Sequence, residues 1–291
     1  MNRALAPSLF CLLSLPLSAQ DLGSLRTTRP LPLPGGQLEV SLQRGEAGSL
    51  RTLPFPGTEQ RNWVFLRSPQ SQSNFQEVPT LGAKEERGQL ALPAGNYQSE
   101  GVVVGLDLKP SLVELPLADW ERFQVQKLGA KEPAPFTSAF ETPSTVRLRR
   151  IESSKLLVRL REGKEVPIPS AVLMTKTGQA VELRPLADPT TITPGGDFPV
   201  KFYSPSGTSA GVFVTALHEA SGTRTSFTTR PGGIAHMKIT KAGAWTLEAH
   251  ELVPLMGARD ADYELCSASL RFVSPAVENN LSPQQEGGEK R

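Results

Sequence analysis

Short runs in which apolar and polar residues alternate recur along this chain, and a period of two residues predicts β-strands. In the segment QLEVSLQ, Leu38, Val40 and Leu42 share one parity and would form one apolar face. A longer run of the same kind covers residues 97–109, and pieces rich in proline and glycine separate such runs. The pattern predicts a first β-domain over residues 20–118.

One segment departs from this period and shows the spacing of a helix. Trp120, Phe123 and Leu128 fall near helical spacing in LADWERFQVQKLGAKEPAP. Asp119 is suited to cap the start of such a helix, and Gly129 is suited to end it. The pattern therefore predicts a short helix, followed by a linker that contains proline.

The rest of the chain returns to short alternating runs. TVRLRR and KLLVRL predict two strands, and six closely spaced patterns follow: FPVKFY, AGVFVTAL, TSFTTR, IAHMKIT, AWTLEAHEL and YELCSASLRFV. This density of strands is typical of an immunoglobulin-like sandwich. The sequence thus predicts an all-β fold of two β-sandwich domains, the C-terminal one immunoglobulin-like, with one short helix between them. The predicted order is a signal peptide at 1–19, an N-terminal β domain at 20–118, the helix and linker at 119–145, the C-terminal sandwich at 146–275 and a disordered tail at 276–291.

The segment PGGIAHMKITKAGAWTLEAHEL, residues 231–252, looks like a β-hairpin with two apolar parities. A hairpin must place both apolar sets on one face, because a slip of one residue turns every side chain over. An odd loop around Gly243 satisfies this condition. The resulting register would place Ile239 opposite Trp245 on the core face.

The same register carries two of the three histidines to the solvent face. His236 would oppose Glu248 in this register. His250 would lie diagonally from His236, at a separation of roughly 7–8 Å. These three residues are weak candidates for a transition-metal site, since Lys238 shares their face and would repel a cation. The residues otherwise predict no metal, catalytic or cofactor-binding site. His218, the third histidine, is expected on the surface at the end of a strand.

Composition and charge exclude some classes of partner. The net charge is +2, and no clustered basic face marks a nucleic-acid-binding protein. The densest basic run, RLRR at 147–150, alternates within a predicted strand and is expected to form a solvated face. The motifs G-x-S-x-G and H-E-x-x-H and a phosphate-binding glycine loop are all missing, so the sequence predicts a non-catalytic protein.

The N-terminus MNRALAPSLFCLLSLPLSAQD predicts a secretory signal peptide that is cut after Ala19. No other run approaches the roughly 20 apolar residues of a membrane span, so the protein is expected to be periplasmic or secreted. Cys266 is then the one cysteine left, which precludes an internal disulfide. It shares a parity with Leu270 and Phe272 and is expected to be a buried small hydrophobe.

The stretch VELRPLADP at 181–189, with a turn at Gly195-Gly196 and the runs AGVFVTA, RPGGIAHMKI, AGAWTLEAHE and DADYELCSASLRF, resembles the domain of unknown function 4198 family. That family consists of exported bacterial proteins, some associated with nickel or cobalt uptake. The resemblance covers about residues 152–273 and implies architecture more than chemistry. The predicted mature start, QDLG, lacks the histidines of the metal-uptake members, and no histidine precedes His218, so nickel ligation is not implied.

Three functions fit these observations. The first is an exported, non-catalytic binding or accessory protein of the cell envelope, whose partner is an envelope protein or a small ligand. The second is a periplasmic accessory component of a nickel or cobalt uptake system, as the resemblance implies. The third is an envelope glycan or peptide hydrolase, which only the versatility of β-sandwich folds supports.

Overall fold

A computed structural model describes the part of the chain that carries the fold. The described residues are 23–27, 37–44, 51–53, 63–67, 76–77, 89–93, 101–132, 144–159 and 169–276. The predicted signal peptide lies outside them, as do residues 133–143 of the predicted linker and 277–291 of the predicted tail.

The described residues form one helix and sixteen strands, which confirms the predicted all-β class. The helix is α1 (Leu117–Leu128), and no helix in the described ranges is long and apolar enough to span a membrane. The strands are β1 (Ser24–Thr27), β2 (Gln37–Arg44), β3 (Arg51–Leu53), β4 (Trp63–Arg67), β5 (Gln76–Glu77), β6 (Gln89–Pro93), β7 (Val102–Asp107), β8 (Ser111–Pro116), β9 (Thr145–Val158), β10 (Glu182–Pro185), β11 (Asp197–Tyr203), β12 (Phe213–His218), β13 (Thr223–Thr228), β14 (Ile234–Lys238), β15 (Gly243–Pro254) and β16 (Tyr263–Ser274).

The largest sheet has nine strands in the order β13-β12-β15-β16-β9-β7-β4-β5, with β8 also paired to β9. The two strands expected from TVRLRR and KLLVRL are one strand, β9, which runs for 14 residues. One edge of β9 pairs in parallel with β16, and the other pairs with β7 and then β8. This sheet therefore contains strands from both of the predicted domains.

A three-stranded sheet, β10-β11-β14, packs on one face of the C-terminal half of the large sheet. Opposite it lie β13, β12, β15 and β16, so seven consecutive strands form the two sheets of a β-sandwich. Trp245, Leu247 and Phe272 are fully buried between these sheets, and the Phe272 ring meets Phe198 edge-on. Cys266 is also buried there, as predicted.

The opposite face of the large sheet is covered too. A four-stranded sheet of β1, β2, β3 and β6 covers one part of it, and α1 covers another. The predicted apolar face of β2 faces this layer, with Leu38, Val40 and Leu42 all buried. On β7, Val103 points into the sandwich while Val104 points to the opposite layer. Burial on both faces explains the unbroken apolar run of this strand.

The helix differs from its prediction at its start. It begins at Leu117, and no side chain caps it, so Asp119 is a first-turn residue that pairs with Arg122 and not the predicted cap. Its end is as predicted, since Gly129 takes a left-handed conformation at φ 67°. A side chain at that position would also collide with the ring of Phe213.

The glutamate of the segment VELRPLADP is buried in an ion pair that joins two sheets. The Nζ of Lys155 on β9 donates to Glu182 Oε1 on β10 at 2.6 Å. The backbone amides of Thr177 and Gly178 donate to the same carboxylate at 2.8 and 3.1 Å. Both charged side chains are almost completely buried, so the pair ties the three-stranded sheet to the centre of the large one.

The predicted hairpin at 231–252 is wrong. Strand β14 pairs with β11 in the three-stranded sheet, whereas β15 pairs with β12 and β16 in the large sheet. The chain crosses from one sheet to the other between Lys238 and Gly243. Two strands that face each other across a sandwich bury the same apolar parities as two strands of one hairpin, so the pattern could not distinguish them.

Candidate functional site

The structure does not bring the three metal-ligand candidates together. His236 is half exposed on β14, and its Nδ1 lies 2.8 Å from Asp197 Oδ2. Glu248 lies in the other sheet and accepts a hydrogen bond from Lys127 Nζ at 3.1 Å. His250 is buried on β15. Within the described ranges, no three His, Cys, Asp or Glu residues form a group that could hold a metal ion.

His250 lies beneath α1 and not on a solvent face, which corrects the expectation from the sequence. Its ring meets Phe123 of α1 edge-on, with 5.9 Å between centroids. Its Nδ1 lies 2.9 Å from Ser267 Oγ, while its Nε2 has no hydrogen-bond partner in the described structure. The helix covers His250 on the polar parity of β15, so parity alone does not place this side chain in solvent.

The environment of His250 keeps its imidazole neutral. Burial is the main cause and lowers its pKa to about 3, with further contributions from the charges of Lys127 and Arg150. A neutral imidazole in this position avoids placing a third positive charge beside these two cations.

Ser267, His250 and Glu248 have the residue types of a hydrolytic triad, but their arrangement cannot serve as one. Ser267 is 1% exposed beneath the sheet's covering layer, so a substrate cannot reach its hydroxyl. A histidine with a pKa near 3 is a poor general base at neutral pH. Glu248 Oε2 lies 4.0 Å from His250 Nε2, because Lys127 holds this carboxylate instead. The contact is structural.

The neutral state of His250 predicts that the protein loses stability in mild acid. The unfolded chain binds a proton near pH 6.5, whereas the native chain does so only near pH 3, so stability falls as the pH drops below about 6.5. At pH 5 the loss should be roughly 2 kcal/mol relative to pH 7.5. Urea unfolding of wild type and of His250→Gln across this range measures the effect.

His250→Gln should lose about 2 kcal/mol of the wild-type pH dependence, because the substitution removes the imidazole that burial keeps neutral. Equal pH dependence in wild type and His250→Gln would show that this imidazole is not held neutral by burial.

His218 ends β12 as predicted, but it is buried and not on the surface. Its Nδ1 lies 2.8 Å from Ser221 Oγ, and its Nε2 lies 2.9 Å from the carbonyl oxygen of Ala242. Its ring packs 5.0 Å from that of Trp245. This histidine therefore fastens the turn after β12 to the crossing between the two sheets.

The predicted solvated face of RLRR is correct for two of its arginines. Arg147 and Arg149 are partly exposed and pair with Asp262 and Asp260 at 2.8 and 2.9 Å. Arg150 is buried instead and pairs with a glutamate on its own strand. Arg150 has the opposite parity from Arg147 and Arg149, and its side chain therefore points to the covered face.

The buried thiol of Cys266 is not suited to chemistry. Burial, and then the charges of Glu264 and Glu251, raise its pKa to about 12. A thiol with such a pKa stays protonated at neutral pH and is a poor nucleophile and metal ligand.

The described residues hold a cleft of about 310 Å³ where strands β1, β9 and β16 end. Its apolar walls include Val158, Val273 and Pro275, and its polar groups include Arg159 and Arg271. Apolar walls with a few polar groups are usual in sites for small ligands. This cleft is the candidate functional site.

Arg159, on one side of the cleft, is held by a local network. Its Nη1 donates to Asp188 Oδ2 at 3.1 Å and to Thr190 Oγ1 at 3.0 Å. Asp188 also accepts the backbone amide of Ser170 at 2.8 Å. The aspartate of the segment VELRPLADP thus positions this arginine and balances its charge.

Arg271, also in the wall of the cleft, shares a carboxylate with a second arginine. Its Nε and Nη2 donate to the two oxygens of Glu219 at 2.9 and 3.1 Å. Arg26 Nη1 donates to Glu219 Oε2 at 2.7 Å, and Thr246 Oγ1 donates to Oε1 at 2.7 Å. Burial acts to raise the pKa of Glu219, but Arg271, Thr246 and Arg26 together outweigh burial and the pKa is lowered, so the carboxylate stays ionised.

Sequence reasoning missed this cleft. The one local signal lies on β16, where the charged residue Arg271 stands between the apolar residues Leu270 and Phe272. Its partner Glu219 is 52 positions away, and the cleft walls come from strands that are far apart in the chain. No local pattern contains that information.

No family model matches the chain, and a search of curated proteins finds no relative of it. The resemblance to the domain of unknown function 4198 family therefore stays an expectation from the residues.

Proposed function

We propose that this chain is an exported, non-catalytic binding protein of the cell envelope and that it binds a small ligand in the cleft at the ends of β1, β9 and β16. The cleft is the observation that carries the proposal, because its volume of about 310 Å³ lies at the lower end of the range for small-molecule sites. The predicted signal peptide supports export.

The potentially reactive groups described above also favour binding over catalysis. Ser267 and His250 are sealed beneath α1, and the thiol of Cys266 stays protonated. The cleft itself presents arginines, threonines and aliphatic side chains, which suit recognition of a ligand. No contact among the described residues favours the metal-uptake or hydrolase alternatives, and they stay hypotheses.

A fluorescent probe of apolar clefts, 8-anilinonaphthalene-1-sulfonate, tests the proposal. The mature protein should bind it at a single saturable site. Val273→Trp, which places a large ring in the cleft wall, should weaken binding about 10-fold or more. The matched control is Val125→Trp, because Val125 is a similarly exposed valine on α1, outside the cleft lining. This control should bind like wild type.

Two results would contradict the proposal. One is the absence of saturable binding, and the other is equal binding by wild type and Val273→Trp. Export is tested separately by mass spectrometry of the periplasmic or secreted form, which should begin at Gln20.

A further inference from the structure

We propose that the outer face of the three-stranded sheet binds the surface of an anionic phospholipid membrane. The outer face consists of the side chains of β10, β11 and β14 that point away from the sandwich core, among them Arg184, Lys201, Tyr203, His236 and Lys238. None of these five residues lines the cleft. The inference therefore goes beyond the proposed ligand site and shares with it only the location in the cell envelope.

The alternation of burial along the strands defines the outer face. On β14, Ala235 and Met237 point into the core, while His236 and Lys238 are exposed. Strand β11 alternates in the same way, and its Lys201 has the outward parity. Basic residues that are scattered over the sequence therefore meet on one surface.

Three cations of the outer face have no carboxylate partner among the described residues. Arg184 lies directly opposite Lys201 in the pairing of β10 with β11. The Nε of Arg184 donates to the carbonyl oxygen of Met174 at 2.9 Å, and the Nζ of Lys201 lies over the ring of Tyr203. Neither these two cations nor Lys238 forms an ion pair in the described structure. Like charges directly opposite each other destabilise a sheet, and an anionic surface above them would relieve this cost.

A carboxylate at one end of the outer face does not balance these charges. Asp197 stands opposite Lys238 in the register, but its Oδ2 lies 2.8 Å from Nδ1 of His236 instead. Lys201 is further along β11 from Asp197, at a separation of roughly 13 Å along the strand. Even if Asp197 is counted against Lys238, Arg184 and Lys201 remain as a pair of cations, so the face is positive.

The shape of the outer face and its aromatic residue favour a membrane over a polymer. An open sheet surface with several cations suits an array of lipid phosphates, which lysine and arginine bind well. A nucleic-acid base or a sugar ring would need an open aromatic ring for stacking. The ammonium groups of Lys176 and Lys201 lie over the Tyr203 ring, at 4.3 and 5.1 Å from its centroid, and compete for that surface. Tyrosine is also enriched at membrane–water interfaces.

Sedimentation with phospholipid vesicles tests this inference. The mature protein should bind vesicles of phosphatidylglycerol and phosphatidylcholine in equal parts, and it should not bind vesicles of pure phosphatidylcholine at the same lipid concentration. Binding should weaken as the salt concentration rises. Arg184→Gln/Lys201→Gln/Lys238→Gln should weaken binding about 100-fold, because each cation near an anionic surface contributes about 5-fold.

The matched control removes the same charge elsewhere. Arg122→Gln/Lys131→Gln/Arg224→Gln replaces three exposed cations on or beside α1, which covers the opposite face of the large sheet. This control should bind within about 2-fold of wild type, since charges further from the membrane than the Debye length of roughly 8 Å are screened.

A single variant guards against misfolding of the triple variant. The side chain of Lys238 is exposed and makes no contact that a substitution would break. Lys238→Gln should therefore keep the wild-type urea midpoint while it weakens vesicle binding about 5-fold. Lys238→Arg keeps the charge and should bind like wild type.

Several results would overturn the inference: no binding to anionic vesicles, equal binding to neutral vesicles, equal loss in the two triple variants, or no loss in Lys238→Gln. Binding to DNA or polygalacturonate as tight as binding to the vesicles would show a general polyanion surface and would also overturn it. Vesicle binding without a saturable dye site would support this inference and contradict the proposed ligand site. Dye binding without vesicle binding would do the reverse.

Discussion

Lys155→Met should lower the free energy of unfolding by about 3–5 kcal/mol, because the substitution leaves Glu182 buried without its cation. The Nζ of Lys155 lies 2.6 Å from this carboxylate, whose remaining donors are the amides of Thr177 and Gly178. Two amides cannot replace the attraction of a full charge at that distance in a low-dielectric interior. Urea denaturation with far-ultraviolet circular dichroism measures the loss.

The double variant Lys155→Met/Glu182→Leu tests the mechanism, because it removes both charges and keeps the volume apolar. It should recover most of the lost stability, as replacements of buried ion pairs by hydrophobic residues often do. The matched surface control is Arg149→Met, which breaks the exposed pair with Asp260 and should cost less than about 1 kcal/mol. A loss in Lys155→Met no larger than in this control would show that the buried pair does not stabilise the junction between the sheets.

Trp245→Ala should also cost about 3–5 kcal/mol, since it opens a large cavity in the core of the sandwich. The indole is completely buried, and its Nε1 donates to the carbonyl oxygen of Lys241 at 3.0 Å. The ring of His218 packs beside it, so the variant also removes the aromatic ring that this histidine contacts. The denaturation midpoint and its slope measure the effect.

Leu112→Ala is the control for Trp245→Ala, because Leu112 is 58% exposed on β8. Its effect should stay within about 0.5 kcal/mol. An unchanged midpoint in Trp245→Ala would contradict the position of this residue in the core.

Local patterns predicted the features that depend only on neighbouring residues. The buried face of Leu38, Val40 and Leu42, the burial of Cys266 and the end of the helix at Gly129 all follow from parity or from the conformational freedom of glycine. Each of these features depends on the direction in which a side chain points, and period and residue type determine that direction.

Features that depend on distant partners could not be predicted in this way. Parity states which side chains face a core, but not which strand lies beside them, so the hairpin at 231–252 was predicted wrongly. His250 was placed in solvent because Lys127 and the rest of α1, which cover it, lie more than a hundred positions earlier in the chain. The cleft also depends on residues that are far apart in the chain, since it forms only where the ends of three distant strands meet.

The parallel pairing of β9 with β16 also governs when the protein can fold. Ser154 and Ser269 touch across these strands although 115 positions separate them, and Ser269 also donates to the carbonyl oxygen of Gly23, 246 positions away. Contacts between such distant positions slow folding, because a long loop must close before they form. During synthesis, one edge of β9 has no pairing strand until β16 has left the ribosome. The large sheet thus cannot be completed until most of the chain has been made.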